Sequence, residues 1–191
     1  MRYRVAHRRA AAQSGLTQVL GLMPKNFALA AVFFAASASL ASEPPRIQFG
    51  ALGALHTGMS ESAVARAARS PVEHMYPGSE ENGCFYGTVA GLPSGASLMF
   101  LDGRLARIDV TEGALRTVSG AGIDSSEQML KRLYGKRLVE TTHAYDGPVG
   151  HYLTLMSSDR SLGIRFETDG DKVTTYYSGT AEAIRLKEGC Q

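Results

Sequence analysis

The chain has 191 residues, 44% hydrophobic and 20% charged, with no tryptophan and two cysteines. All 18 acidic residues lie after Ala41, against 15 basic ones there, so residues 42–191 carry −3 and the overall +2 belongs to the N-terminal stretch. That balance gives no ground for nucleic-acid binding, which needs a basic patch on the folded domain.

Residues 1–41 contain Arg2, Arg4, Arg8, Arg9 and Lys25 and no acid. The apolar run from Phe27 to Ala36 is too short to span a bilayer comfortably and is followed by small residues. Ser39-Leu40-Ala41 offers the small-x-small pattern of a signal-peptidase site, with Ala36-Ser37-Ala38 as a second cut. Met23-Pro24-Lys25 would itself start a compact signal, so the true start is placed alternatively at Met23. Arg8-Arg9 lacks the rest of a twin-arginine pattern, and no cysteine stands at the cut for a lipid anchor. The expectation is a signal segment over 1–41 and one domain over 42–191, periplasmic or secreted, without a membrane span after cleavage.

In that domain, Ser60 caps a predicted helix through Ala63, Val64, Ala67 and Ala68, stopped by Pro71. Strand patterns follow at Phe85–Val89, Ser97–Leu101 and Arg104–Val110. A second helix starts at Ser125, with Gln128 as a capping box, or at Ser126; Met129, Leu130, Leu133 and Tyr134 line one face and Gly135 ends it. Strands then follow at Arg137–Thr142, His151–Met156, Leu162–Glu167 and Lys172–Tyr177. Leu162, Ile164 and Phe166 alternate with Gly163, Arg165 and Glu167, and Ala106, Ile108 and Val110 alternate with Arg107 and Asp109, as in antiparallel sheets with one dry and one wet face. Asp102-Gly103 and Asp169-Gly170 are read as tight hairpin turns.

The two series match at an offset of 66: Ser60 falls on Ser126, Tyr86 on Tyr152, Thr88 on Thr154 and Phe100 on Phe166. The predicted fold is therefore α+β, two tandem helix–antiparallel-meander repeats at about 53–112 and 119–178, forming one sheet with both helices on one face. Outside the cytoplasm, Cys84 and Cys190 read as a disulfide joining positions 106 residues apart. A redox pair or a zinc site would need closer spacing or more ligands.

Gly58-Met59-Ser60 with Val64, and Gly122-Ile123 through Leu130 to Tyr134-Gly135, each followed by strands and an Asp-Gly hairpin, resemble periplasmic helix-plus-meander modules over about 53–178. Those include the SmpA/OmlA outer-membrane assembly lipoproteins and the tandem-repeat beta-lactamase inhibitory proteins. The second resemblance implies a concave sheet with hairpin loops that enter an enzyme's active site, and Asp102-Gly103 stands where such a loop would be. A nearer likeness is to secreted bacterial proteins carrying Met99-Phe100, Asp102 to Leu105, Arg107 to Val110, Gly150 to Thr154 and Thr168 to Gly170 in this order; it implies no activity.

No catalytic or metal motif emerges: His56, His74, His143 and His151 form no HExxH pattern, no GxSxG elbow is present, and no cofactor is expected. Asp109, Glu112 and Asp146 read as solvated acids, Gly120-Ala121-Gly122 as a turn, and Tyr86 and Tyr152 as packing residues. The wet sheet face is the candidate binding surface, with Arg107, Asp109, Arg165, Glu167 and Tyr176 beside Thr174, together with the hairpin at Asp102. The function expected is an exported, non-enzymatic binding module whose partner is an envelope or secreted protein, with no nucleic-acid partner and the oligomeric state left open. A narrower form is an inhibitor of a secreted hydrolase. The alternative class is an enzyme acting on envelope glycan or peptide, which a deep pocket, either with two facing carboxyls or with His143 or His151 bonded to an acid, would favour.

Overall fold

The computed structural model describes residues 44–76 and 83–190, so the leader and its cleavage sites lie outside the described residues. The described chain starts with three two-residue strands, β1 (Ile47–Gln48), β2 (Ala51–Leu52) and β3 (Leu55–His56), paired antiparallel in that order. The turn between β1 and β2 needs Gly50, whose φ of +63° is left-handed and whose missing Cβ leaves room for Thr57. These strands are too short for a readable alternation, and the sequence pattern misses them.

Helix α1 (Glu61–Ala68) is followed by β4 (Glu73–His74), β5 (Cys84–Thr88), β6 (Ala96–Leu101) and β7 (Arg104–Val110). Helix α2 (Glu127–Tyr134) is followed by β8 (Leu138–Thr142), β9 (His151–Met156), β10 (Leu162–Thr168) and β11 (Val173–Thr180), and a 3-10 turn at Ala183–Arg185 starts the tail. The fold is α+β, with few helices and antiparallel sheets. The large sheet has the order β4-β5-β6-β7-β11-β10-β9-β8, so each meander runs inward from an edge and the last strands of the two, β7 and β11, meet in the middle.

Both helices are capped by serine. Ser60 Oγ accepts from Ala63 N at 3.2 Å, and Ser126 Oγ from Met129 N at 3.2 Å. The cap of α2 is thus Ser126. Ser125 is buried instead, where its Oγ accepts from Gly122 N and Arg116 Nη1. Each helix entry is sewn to the sheet in the same way: Gly58 N and Met59 O bond to Leu105, while Asp124 N and Ser125 O bond to Val173. From α1, Val64 enters the core, and from α2 Leu130 and Tyr134 do. Leu133 stays 38% exposed, and Glu127 takes a buried place instead. The first sheet face meets them with Leu98, Phe100, Ile108, Val110, Leu153, Ile164, Phe166 and Tyr176, while Ile47, Leu52 and Leu55 of the small sheet complete the same interior.

Each meander carries one bulge. Met99 pairs with Arg107 but Phe100 with Leu105, leaving Ala106 extra; Glu167 pairs with Thr175 but Thr168 with Val173, leaving Thr174 extra. The preceding turns differ. Asp102 and Gly103, with φ of +48° and +72°, form the expected two-residue turn. Asp169-Gly170 belongs to a four-residue loop, because Asp169 Oδ1 accepts from Asp171 N at 2.9 Å and Lys172 N at 2.8 Å and holds the loop open.

Replacing Ser60 or Ser126 by alanine is expected to lower stability by about 1 kcal/mol each, measured as a shift in urea midpoint at constant slope.

Candidate functional site

The second face of the large sheet carries the polar residues singled out by alternation. Arg107, Asp109, Arg165 and Glu167 all project from it, since Arg107 pairs across with Met99 and Gly179, Asp109 with Tyr177, and Tyr177 with Arg165. Tyr176 does not. The extra residue Thr174 reverses the parity of β11 after Val173, so Tyr176 turns into the core, fully buried, and its hydroxyl donates to Leu115 O at 2.8 Å. Tyr177 takes the place expected for it. Asp102 lies at the hairpin tip, away from this group, with its amide bonded to Gly83 O.

The face is not uniformly wet. Arg107 is 3% exposed and Asp109 7%. What covers them is the tail, which turns back after β11 and crosses the sheet toward β5. Arg107 is saturated: Nε donates to Asp109 Oδ1 at 2.6 Å, Nη2 to Asp109 Oδ2 at 2.7 Å and to Tyr86 Oη at 2.8 Å, and Nη1 to Ala183 O at 2.8 Å and Leu186 O at 2.7 Å. The guanidinium also lies 4.3 Å from the centre of the Tyr177 ring. Desolvation alone would weaken the charged form of Arg107; the adjoining Asp109 more than offsets it and keeps the guanidinium firmly protonated. Burial, reinforced by Asp109, pushes the Tyr86 hydroxyl well above its ordinary value, and burial with Glu167 does the same to Tyr177. The tail ends in a disulfide between Cys190 and Cys84 of β5, with Cα atoms 5.3 Å apart.

Glycines make the tail's path possible. Gly163 and Gly179 are direct partners on β10 and β11; a Cβ on Gly163 would collide with Ile184 Cδ1, whereas one on Gly179 would collide with the β7 backbone at Ala106 and Arg107. Ile184 fills the space that Gly163 leaves and is fully buried.

Beyond Tyr177 the polar network continues. Tyr177 Oη donates to Glu167 Oε1 at 2.9 Å, and Glu167 Oε2 is 3.4 Å from His143 Nε2. Because His143 Nδ1 accepts from Tyr145 N and Asp146 N, the Nε2 proton points at Glu167. The His143 ring packs against Tyr152 at 4.4 Å, and Arg165 lies over the other part of that ring at 5.0 Å while its Nε donates to Thr154. On this half of the face Arg165, Thr154 and Thr175 are half-buried, and Thr141, Val139 and Tyr145 are exposed.

A second charged cluster was not legible in the sequence. Glu127, in the first turn of α2, receives Thr168 Oγ1 at 2.6 Å and His151 Nδ1 at 2.7 Å on one carboxylate oxygen, with Lys131 at 3.4 Å from the other. Burial raises the Glu127 carboxyl, but the hydrogen bonds from Thr168 and His151 and the nearby charges outweigh it and hold the group below its ordinary 4.5. The signal available was the acid at the first turn of a helix, which is also a favourable place in the helix dipole.

Both His143 and His151 are thus bonded to acids. The other nitrogen of His151 faces a second carboxylate, Glu140, at 3.7 Å, and His143 faces Glu167 from Nε2 and two amides and the Asp146 carboxylate, at 3.3 Å, from Nδ1. A general base needs a ring nitrogen open to a substrate proton. The grooves of about 410, 370 and 310 Å³ are lined by Pro44, Pro93 and Leu115, by Phe49, Val118 and Tyr134, and by Tyr145, Leu186 and Glu188 respectively, and none of the three includes a histidine or facing carboxyls. Among the described residues, no cluster of histidine, cysteine and acidic side chains has metal-binding geometry, and no helix is long and apolar enough to cross a membrane. Comparisons with protein families, with curated proteins and with solved structures return no match for this chain.

Arg107→Ala leaves Asp109 buried without its counter-charge and is expected to cost about 3–5 kcal/mol in urea denaturation, against less than about 1 for Arg165→Ala. The depressed Glu127 carboxyl contributes stability above its ordinary value, and that contribution disappears as pH falls through the lower folded value. Below about pH 4.5 the wild-type urea midpoint should therefore drop more steeply than that of Glu127→Gln.

Proposed function

We propose that the chain is an exported, non-enzymatic binding module of the cell envelope, and that it recognises a protein partner through the uncovered half of the second sheet face. The observation that carries this reading is the patch around Arg165, where Val139, Thr141, Thr154 and Thr175 share a face with the guanidinium, which lies over the Tyr152 ring. Aromatic, arginine and hydroxyl groups on a rigid sheet give area and hydrogen bonds at low entropy cost. The cystine fits an oxidising compartment, periplasmic or extracellular.

A second element of this proposal is that the domain is built of two tandem repeats. Its support is the mirrored strand order, the matching sheet contacts of the Ser60 and Ser126 helix entries, and one bulge per meander at Ala106 and Thr174. The likeness to helix-plus-meander modules remains a reading of the same kind, and inhibition of a secreted hydrolase is its narrower form. The Asp102-Gly103 turn projects only two residues, which favours the sheet face over the hairpin as the contact surface. Catalysis on envelope glycan or peptide is the second reading, favoured by the Glu127–His151 pair alone.

Crosslinking of the mature domain in envelope extract is expected to recover a protein partner that Arg165→Glu loses and Leu133→Glu, on the helix side, retains. Recovery unchanged by Arg165→Glu would reject the surface. A captured hydrolase whose activity falls on binding would narrow the function to inhibition.

A further inference from the structure

From Ala181 to Cys190 the tail lies on the sheet as a bound peptide would. Two of its side chains, Ala183 and Ile184, are fully buried, and the larger, Ile184, occupies the space over Gly163. Two of its carbonyls, Ala183 O and Leu186 O, converge on Arg107 Nη1. Past Leu186 the grip is slight: Lys187 and Glu188 are exposed, a groove of about 310 Å³ opens between this stretch and Tyr145, and a Tyr145–Glu188 side-chain bond spans it. Among the described residues, positions 187–190 make no backbone–backbone hydrogen bond to the sheet, and the end is held by the cystine to Cys84.

The receiving surface does not depend on the tail for its shape. Arg107 is oriented by Asp109 through Nε and Nη2 and by Tyr86, so only Nη1 loses its acceptors if the tail leaves. A preoriented donor beside an apolar trough is a recognition site with its ordering cost already met.

We infer that this is a peptide-binding trough occupied by the protein's own tail, with Cys84–Cys190 as its latch. Its ligand is a peptide that closes a single turn, as residues 183–186 do, so that one aliphatic side chain meets Gly163 while two backbone carbonyls reach Arg107. A dithiol reductant opens the latch: two electrons and two protons pass to the cystine, which becomes two thiols, and the dithiol becomes a disulfide. The inference rests on the second face being a recognition surface, but on a different part of it from the Arg165 patch. After reduction the tethered tail still competes at high effective concentration, so a ligand meets a site biased toward closure.

The test uses the full mature domain in three forms: oxidised, reduced with dithiothreitol, and a Cys190→Ser/Ile184→Asp variant that expels the tail. Hydrogen exchange on the reduced form should rise at least about tenfold over residues 182–190 and stay unchanged in β5, β6, β7, β10 and β11. A labelled peptide with the native sequence of residues 181–189 should bind the double variant, and bind the oxidised protein at least about tenfold more weakly. The same peptide carrying aspartate at the Ile184 position should not bind. Loss of protection in β5–β7 together with the tail would overturn the inference by making the tail an integral layer of the fold. So would failure of the native peptide to bind a double variant whose sheet protection is intact. Peptide binding that persists while Arg165-dependent partner capture fails would reject the Arg165 surface alone, and the reverse outcome would reject the trough alone.

Discussion

One buried ion pair organises the second face of this sheet. Taking a guanidinium out of water is costly unless every donor is met, and Arg107 meets that condition with both oxygens of Asp109, the hydroxyl of Tyr86 and two carbonyls of the tail. The dependence is mutual. Without the tail Nη1 would exchange two carbonyls for water, and without the cation the carbonyls of Ala183 and Leu186 would lose a donor. Gly163 is what lets the chain come close enough for this, because a side chain there would hold Ile184 off the sheet, and Gly179 lets β11 lie against Ala106 and Arg107 of β7.

The two faces therefore use different physics. On the helix side, aliphatic and aromatic groups from the sheet, both helices and the small N-terminal sheet share one interior. On the other side, stability comes from a chain of charged and hydroxyl groups running from Tyr86 through Asp109, Arg107, Tyr177 and Glu167 to His143, part of it beneath the tail. Where the tail stops, the same face turns outward at Arg165, and there a partner would find groups already held in place by Tyr152 and Thr154. His143 belongs to this scheme through Glu167, while His151 holds Glu127 on the helix side.

Both helices, seven of the strands of the large sheet and the cystine were legible in the sequence, because serine caps, alternation and an even cysteine count each reflect a local physical demand. The Glu127–Thr168–His151 cluster was not, and neither were three further features. Strands of two residues, such as Ile47–Gln48 and Glu73–His74, offer no period to detect. The bulge at Thr174 flips the second half of β11, so strict alternation placed Tyr176 on the face that Tyr177 occupies. The tail's cover was invisible, since Ala183, Ile184 and Leu186 among charged neighbours show neither a helix nor a strand pattern, and Arg107 and Asp109 within β7 look like any solvated pair until something lies on top of them. Alternation reports which side of a sheet a residue faces, and burial depends on what a distant part of the chain does to that side.

The order of the large sheet has a consequence for how the chain reaches it. Of the seven junctions between neighbouring strands, six join strands consecutive in sequence, and only the junction of β7 with β11 brings together distant residues, Val110 with Tyr176 for example. Local hairpins form with little loop-closure cost, while distant pairings bear more of it, though that cost grows slowly with loop length. A sheet of eight strands is thus assembled with the search problem of a much smaller one: two ribbons that can zip independently, and a single remote encounter that turns them into one surface.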